Sequence, residues 1–191
     1  MSEQRKLARL VKRARKGDTE AFGEIYDRYQ GEVYAYVLHQ VGTPADAEDI
    51  TAGVFLDVLE KIEGFTWQGA GFAAWLFRIA RNDVLDFFRR RGRKSREIAL
   101  TDEILDLPVR ETVEGQAETA ADERVLLAAI GKLSEDQQQV VLLKLLANLS
   151  NRQVGEVVSK SEGAVKALQH RALITLRKFM EEERKKDQWK Q

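Results

Sequence analysis

Apolar residues recur along this chain at three- and four-residue steps, and alternation of β-branched residues is scarce. That period predicts helix almost throughout. A first helix is expected from Glu3 to about Arg15, closing near Gly17. Asp18 then reads as an N-cap for a helix whose stripe is Ala21, Phe22, Ile25 and Tyr29, continuing to about Leu38. After Gly42, Thr43-Pro44-Ala45-Asp46 is a start signal: a threonine cap, proline at the first helical position and an acid in the first turn. This helix runs to about Ile62 with Ile50, Val54, Val58 and Ile62 as its stripe, and Gly64 ends it. Thr66 to Gly71 reads as a loop. A further helix is expected from Phe72 to Arg91, with Phe72, Leu76, Ile79 and Leu85 at core spacing and Gly92 as its stop.

From Arg93 to about Ala121 the pattern changes. Asp102, Glu103, Asp106, Glu111, Glu114 and Glu118 make the stretch acidic and Pro108 interrupts it, as in a linker. Periodicity resumes over Glu123 to Lys132. Ser134-Glu135-Asp136-Gln137 is a capping box ahead of Val140, Val141, Leu142, Leu145 and Leu146, and Ser150-Asn151-Arg152-Gln153 is a second one. A short helix to Val158, a turn at Ser159-Lys160-Ser161 and a long helix from Glu162 to about Met180 follow, with a charged tail beyond. The fold class is all-α: two small helical domains, 1–92 and 122–183, joined by an acidic linker at 93–121, with a tail at 184–191.

Short helix, three-residue turn and long helix is the layout of a helix-turn-helix. On the long helix Val165, Leu168, Ala172, Leu176 and Phe179 share the core side. Lys166, Ala167, His170 and Arg171 fall broadly opposite. Small residues there let the backbone approach DNA, and polar ones reach base edges and phosphates. A plain three-helix bundle with a solvated basic face has the same periodicity.

Composition narrows the chemistry. The 191 residues include no cysteine, which removes disulfides, thiol nucleophiles and cysteine metal sites. His39 and His170 lie far apart and make no ligand pair. No glycine-rich phosphate loop, metal cluster or nucleophile–base pair is present, so no catalytic residue, metal or cofactor is expected. No apolar run suits a secretory signal or a membrane span, so a cytoplasmic protein is expected. Lys plus Arg and Asp plus Glu are equal at 31 each, so any nucleic-acid binding must come from local patches. Such patches exist at Arg5, Lys6, Arg9, Lys12, Arg13, Arg15 and Lys16, and again at Arg89 to Arg96.

Two stretches of the first domain carry more than packing requires. The helix from Pro44 to Ile62 is acidic at Asp46, Glu48, Asp49, Asp57 and Glu60, either as a solvated face or as a docking surface for a partner. In Gly71-Phe72-Ala73-Ala74-Trp75-Leu76-Phe77-Arg78-Ile79-Ala80-Arg81-Asn82, aromatics interleave with arginines. The choice there lies between core aromatics with a cationic helix end and a surface that stacks bases and holds phosphates of a single strand.

Together these stretches resemble the small, two-domain extracytoplasmic-function sigma factors of bacteria, within the sigma-70 family. Asp46-Ala47-Glu48-Asp49-Ile50-Thr51 with Val54-Phe55-Leu56 is similar to the family's core-polymerase-binding helix. Ala74 to Asn82 resembles its promoter-melting helix, Phe87-Phe88-Arg89-Arg90-Arg91 the end of that helix, and Val165-Lys166 with His170-Arg171-Ala172 its recognition helix. The resemblance implies a subunit that binds core RNA polymerase and promoter DNA. Asp46, Glu48, Asp49, Phe55 and Leu56 would dock on the clamp coiled coil of the largest subunit, and the second domain would meet the flap of the second-largest. Lys166, Ala167, His170 and Arg171 would read the −35 element as duplex. Phe65, Trp75, Arg78, Ile79, Arg81 and Asn82 would capture the −10 element as a melted strand, with a flipped base near the Phe65–Gly71 loop. The linker would thread the polymerase channel, and an anti-sigma factor is a further partner that the resemblance implies. Ser159 stands where the family's turn usually has glycine, Gly155 where it has alanine, and Ala167-Leu168-Gln169 where a serine-arginine-leucine run is common. A stand-alone helix-turn-helix regulator, which would leave the first domain unexplained, and a protein-binding adaptor are the competing readings.

Overall fold

The computed structural model describes residues 3–67, 71–92, 126 and 128–188. The chain divides into two compact units, Met1–Arg96 and Glu97–Gln191. No strand occurs among the described residues. The acidic linker expected at 93–121 lies outside them.

In the first unit, α1 (Glu3–Ala14) buries Leu7, Leu10, Val11 and Ala14. The next helix, α2 (Thr19–Val41), starts where Asp18 Oδ1 accepts the Ala21 N–H at 3.0 Å. The same carboxylate takes Arg13 Nε at 2.7 Å and ties α1 to α2. This double use lowers the Asp18 pKa, first through the Ala21 N–H and then through Arg13. At the other end Gly42 adopts φ +81° and its N–H reaches Leu38 O, a left-handed cap that glycine makes without a Cβ clash. The helix therefore extends three residues past its expected end at Leu38.

Pro44 occupies the first turn of α3 (Pro44–Lys61), as expected. Thr43 does not cap it in the expected way. Its hydroxyl donates to Asp46 Oδ2 and accepts no backbone N–H. A 3₁₀ turn over Ile62–Gly64 leads to α4 (Gly71–Arg91). The core of this unit joins Ile25, Val33 and Tyr36 to Val54, Val58, Leu76, Phe77 and Ala80, all fully buried. Tyr36 meets Phe77 edge to face at 5.5 Å.

The second unit is described at residue 126 and from a helical stretch at 128–131 onward. Three helices follow: α5 (Glu135–Leu145), α6 (Asn151–Val158) and α7 (Glu162–Gln188). Ser134 N–H donates to Gln137 Oε1 at 3.0 Å at the start of α5. The second capping box closes in both directions, with Ser150 N–H to Gln153 Oε1 at 2.8 Å and Gln153 N–H to Ser150 Oγ at 3.3 Å. Helices α5 and α6 both pack on α7, burying Val140, Leu142, Leu143, Val154 and Val157 against Val165 and Ala172. The last helix continues to Gln188, beyond the end expected near Met180. Glu181 to Gln188 contains no glycine or proline, and Glu181 stands four residues before Lys185, a spacing that supports helix.

Candidate nucleic-acid interface

In the second unit, eight residues of α6 must turn into α7 within three. Gly155 makes this close. A Cβ built on it would lie 2.6 Å from the Lys160 carbonyl oxygen, while the Lys160 N–H donates back to Gly155 O at 2.9 Å. Ser159 takes the left-handed conformation, φ +57°, that the turn demands. Lys160 Nζ pairs with Asp136 Oδ2 at 2.9 Å and fixes the turn to α5.

The turn sets the rotation of α7. Val165, Leu168, Ala172 and Leu176 are buried, whereas Lys166, Ala167, His170 and Arg171 are all exposed on the opposite side. Phe179, expected in the core, is half-buried. Lys166 Nζ pairs with Glu162 at 2.8 Å, and this pair is what holds the Glu162 carboxyl below its usual range. An exposed pair one turn apart contributes little, so an incoming phosphate can displace Glu162 at small cost.

Further along α7 a second feature emerges that the core period hides. Leu173 and Ile174 are 54% and 57% exposed. With Met180 and Leu126 they line a groove of about 710 Å³, edged by Arg177 and Lys178. The signal in the sequence is that both are apolar residues off the core stripe, close to cations.

In the first unit, Phe65 and Trp75 come together. Phe65 is buried, its ring 5.0 Å from Trp75, 5.5 Å from Phe72 and 5.8 Å from Trp67. Phe65 and Trp75, with Glu60, Lys61, Glu63 and Gly64, border an open cavity of about 620 Å³. The ring that faces solvent is Trp67, 49% exposed, which sequence alone places inside an undivided loop. On α4, Arg78 and Asn82 are exposed, Arg81 is half-buried and Ile79 is buried at 8%. Arg81 Nε is buried and has no hydrogen-bond partner among the described residues.

The acidic helix α3 divides similarly. Glu48 and Asp49 are exposed. Asp46 is engaged inside the unit, bound by both Arg91 amino groups at 2.8 and 2.9 Å, while the Arg91 guanidinium lies 4.5 Å over the Phe87 ring. Phe55 is buried with Tyr26 against it at 4.7 Å, whereas Leu56 and Leu59 stand 62% and 52% exposed. Ile50, expected in the core stripe, is half-buried on a cavity of about 410 Å³ shared with Asp49, Asp83 and Phe87. Burial pushes the Asp83 carboxyl up to about 6, with Asp57 adding to the effect. His39 lies in the core of this unit, where burial lowers its pKa to about 4 and keeps the ring neutral.

Comparison with known proteins yields the same two-part division. The model of Sigma-70 region 2 matches residues 25–94 and that of Sigma-70 region 4 matches residues 123–176. The chain is 39% identical over 180 residues to the ECF RNA polymerase sigma factor BldN of Streptomyces coelicolor, covering 94% of this chain and 67% of that one. It is 32% identical to the ECF RNA polymerase sigma factor SigF of Caulobacter vibrioides, covering 92% of this chain and 94% of the relative. Among solved structures, the sigma factor RpoE of Bartonella quintana, in complex with the anti-sigma factor NepR, aligns with a TM-score of 0.65 at 21% identity. That alignment covers 84% of this chain and 96% of the other, and it speaks to the fold.

Proposed function

The chain belongs to the extracytoplasmic-function RNA polymerase sigma factors, and on that premise we propose how its two units share the work. As a sigma factor it binds core RNA polymerase and directs initiation at specific promoters. The second unit reads the −35 element as duplex, with Lys166, Ala167, His170 and Arg171 entering the major groove. The exposed, small-and-cationic face of α7, set opposite a buried stripe, is the observation that carries this assignment.

The first unit captures the −10 element as a melted strand. A flipped base enters the cavity bordered by Phe65 and Trp75, with Trp67 available to stack. Arg78 and Asn82 lie on the accessible side of α4, with Arg81 half-buried beside them. Phe65 and Ile79 act from beneath, as walls of the site. Extruding a base costs a few kcal/mol of stacking, which interactions in the cavity offset.

Helix α3 docks on the clamp coiled coil of the largest polymerase subunit through Glu48, Asp49, Leu56 and Leu59. Asp46 and Phe55 hold that surface in shape from within. The groove at Leu173 and Ile174 suits the flap of the second-largest subunit, since an apolar floor with cationic edges is the composition of a partner site. The acidic stretch at 93–121 is the linker between the two promoter-reading units. An anti-sigma factor, such as accompanies the Bartonella relative, would compete for these exposed apolar faces. The chain works in the cytoplasm, where core polymerase and promoters are found, and bond-making chemistry rests with the core enzyme.

The test is promoter binding by the reconstituted holoenzyme. Lys166→Ala combined with Arg171→Ala is expected to weaken a −35-containing duplex about 10- to 100-fold while leaving affinity for core polymerase intact. Unchanged DNA affinity in the double variant would mean that the recognition face lies elsewhere on the second unit.

A further inference from the structure

We propose that the cationic stripe of α1, formed by Arg5, Arg9 and Lys12, grips backbone phosphates of the melted strand beside the cavity at Phe65 and Trp75. The helix precedes the region 2 match, which begins at residue 25.

The stripe is built rather than scattered. At 100° per residue, Arg5, Arg9 and Lys12 fall within about 60° of one another. They stand opposite Leu7, Leu10, Val11 and Ala14, which are buried, and all three are exposed. None has an acidic partner among the described residues. Their neighbours differ: Arg13 is taken by Asp18 and Glu24, and Arg28 by Glu3. A merely solvated face usually mixes signs, as α3 does with its Lys61–Asp57 pair. Arg5 and Arg9 are like charges four residues apart, a spacing that weakens an isolated helix by a few tenths of a kcal/mol. A polyanion removes that repulsion.

Position selects the polyanion. Arg15, at the end of α1, donates from Nε to Glu63 O at 3.1 Å, and Glu63 borders the cavity with Phe65 and Trp75. Glu60 and Glu63 at that border repel phosphates, so the backbone on either side of a captured base must find its counter-charges beyond the mouth. The stripe supplies them over about 10 Å of helix axis, the length of about three stacked nucleotides. The three side chains are long, flexible and cationic, and no exposed large apolar residue lies among them. Protein interfaces centre on apolar or aromatic anchors, whereas phosphate binding without sequence preference needs only such cations.

The inference rests on the −10 reading above, and one experiment separates the two. The probe is a fork-junction promoter selected from a random-sequence pool by wild-type holoenzyme, its non-template strand single-stranded through the −10 region. Affinity is measured from low to high salt for wild type, for Arg5→Gln/Arg9→Gln/Lys12→Gln, and for the charge-keeping Arg5→Lys/Arg9→Lys/Lys12→Arg. Removing one cation from a single-strand phosphate flattens the slope of log affinity against log salt by about 0.7. The neutral variant is therefore expected to flatten it by about 2 and to bind about tenfold or more weakly at low salt. The charge-keeping variant should restore the slope, and all three proteins should bind core polymerase equally. An unchanged slope in the neutral variant would overturn the inference in favour of a solvated face. Impaired core binding would overturn it in favour of a polymerase-facing helix, and equal weakening on fully paired DNA in favour of a duplex-facing one. If wild-type holoenzyme itself ignores the single-stranded −10 segment, the −10 reading fails first and takes this one with it.

Discussion

Ser159 holds the turn between α6 and α7 in a left-handed conformation at φ +57°. A side chain with a Cβ is strained there, and glycine is not. Ser159→Gly is expected to raise unfolding free energy by about 0.5–1 kcal/mol, measured by urea denaturation. Gly155 bears the opposite constraint. Its Cβ would press to 2.6 Å on a backbone oxygen that cannot swing away, so Gly155→Ala should cost about 1–3 kcal/mol. Both positions stand out in the sequence as departures from the family's usual residues. What the sequence could not reveal is their coupling: a turn this tight excludes the methyl group that alanine would bring. Asp83 gives a prediction in pH. Its folded-state pKa of about 6 lies above the ordinary 3.8, so the folded state retains a proton that the unfolded chain releases. Stability from this group is full below about pH 4, declines as pH rises to about 6, and stays reduced above. Asp83→Asn should therefore stabilise at pH 7–8, by about 1 kcal/mol once screening of a half-open site is allowed for. The gain should vanish near pH 4. A pH-independent gain in thermal melting would contradict this origin.

Among elements, α3 best separates what periodicity can and cannot read. Val54, Val58 and Ile62 are buried as their spacing requires. Phe55 and Leu56 are adjacent apolar residues 100° apart, and period alone does not say which turns inward. Tyr26 on α2 settles it by meeting the Phe55 ring, which leaves Leu56 in solvent. Leu59 follows Leu56 by three residues and extends the same exposed strip. The same ambiguity hid Leu173 and Ile174 on α7. Leu56→Ala with Leu59→Ala is expected to weaken core-polymerase binding about tenfold, read by titration of labelled protein, with the melting temperature unchanged. A drop in melting temperature with binding intact would make the strip a structural feature. Asp46 shows the limit for charged residues. Its place at the start of α3 was legible, but its bidentate bond to Arg91, 45 residues away, was not.

Across the whole chain, equal numbers of acidic and basic residues conceal a strong separation of charge. Cations gather on α1, on the end of α4 and on the outer face of α7, while carboxylates line α3. That distribution suits the proposed division between DNA-facing and polymerase-facing surfaces. The all-helical class and the capping boxes were readable because they depend on local spacing and local hydrogen bonds. The cavity at Phe65 and Trp75 was only approximately readable, because its rings converge from a loop and a helix. The most direct measurement is run-off transcription from a pool of promoter fragments, with purified chain added to core RNA polymerase. Discrete transcripts that require the chain, and that disappear with Lys166→Ala/Arg171→Ala, are the expected result. A chain that forms no complex with core polymerase and yields no specific transcript, while still binding DNA alone, would contradict the sigma-factor assignment.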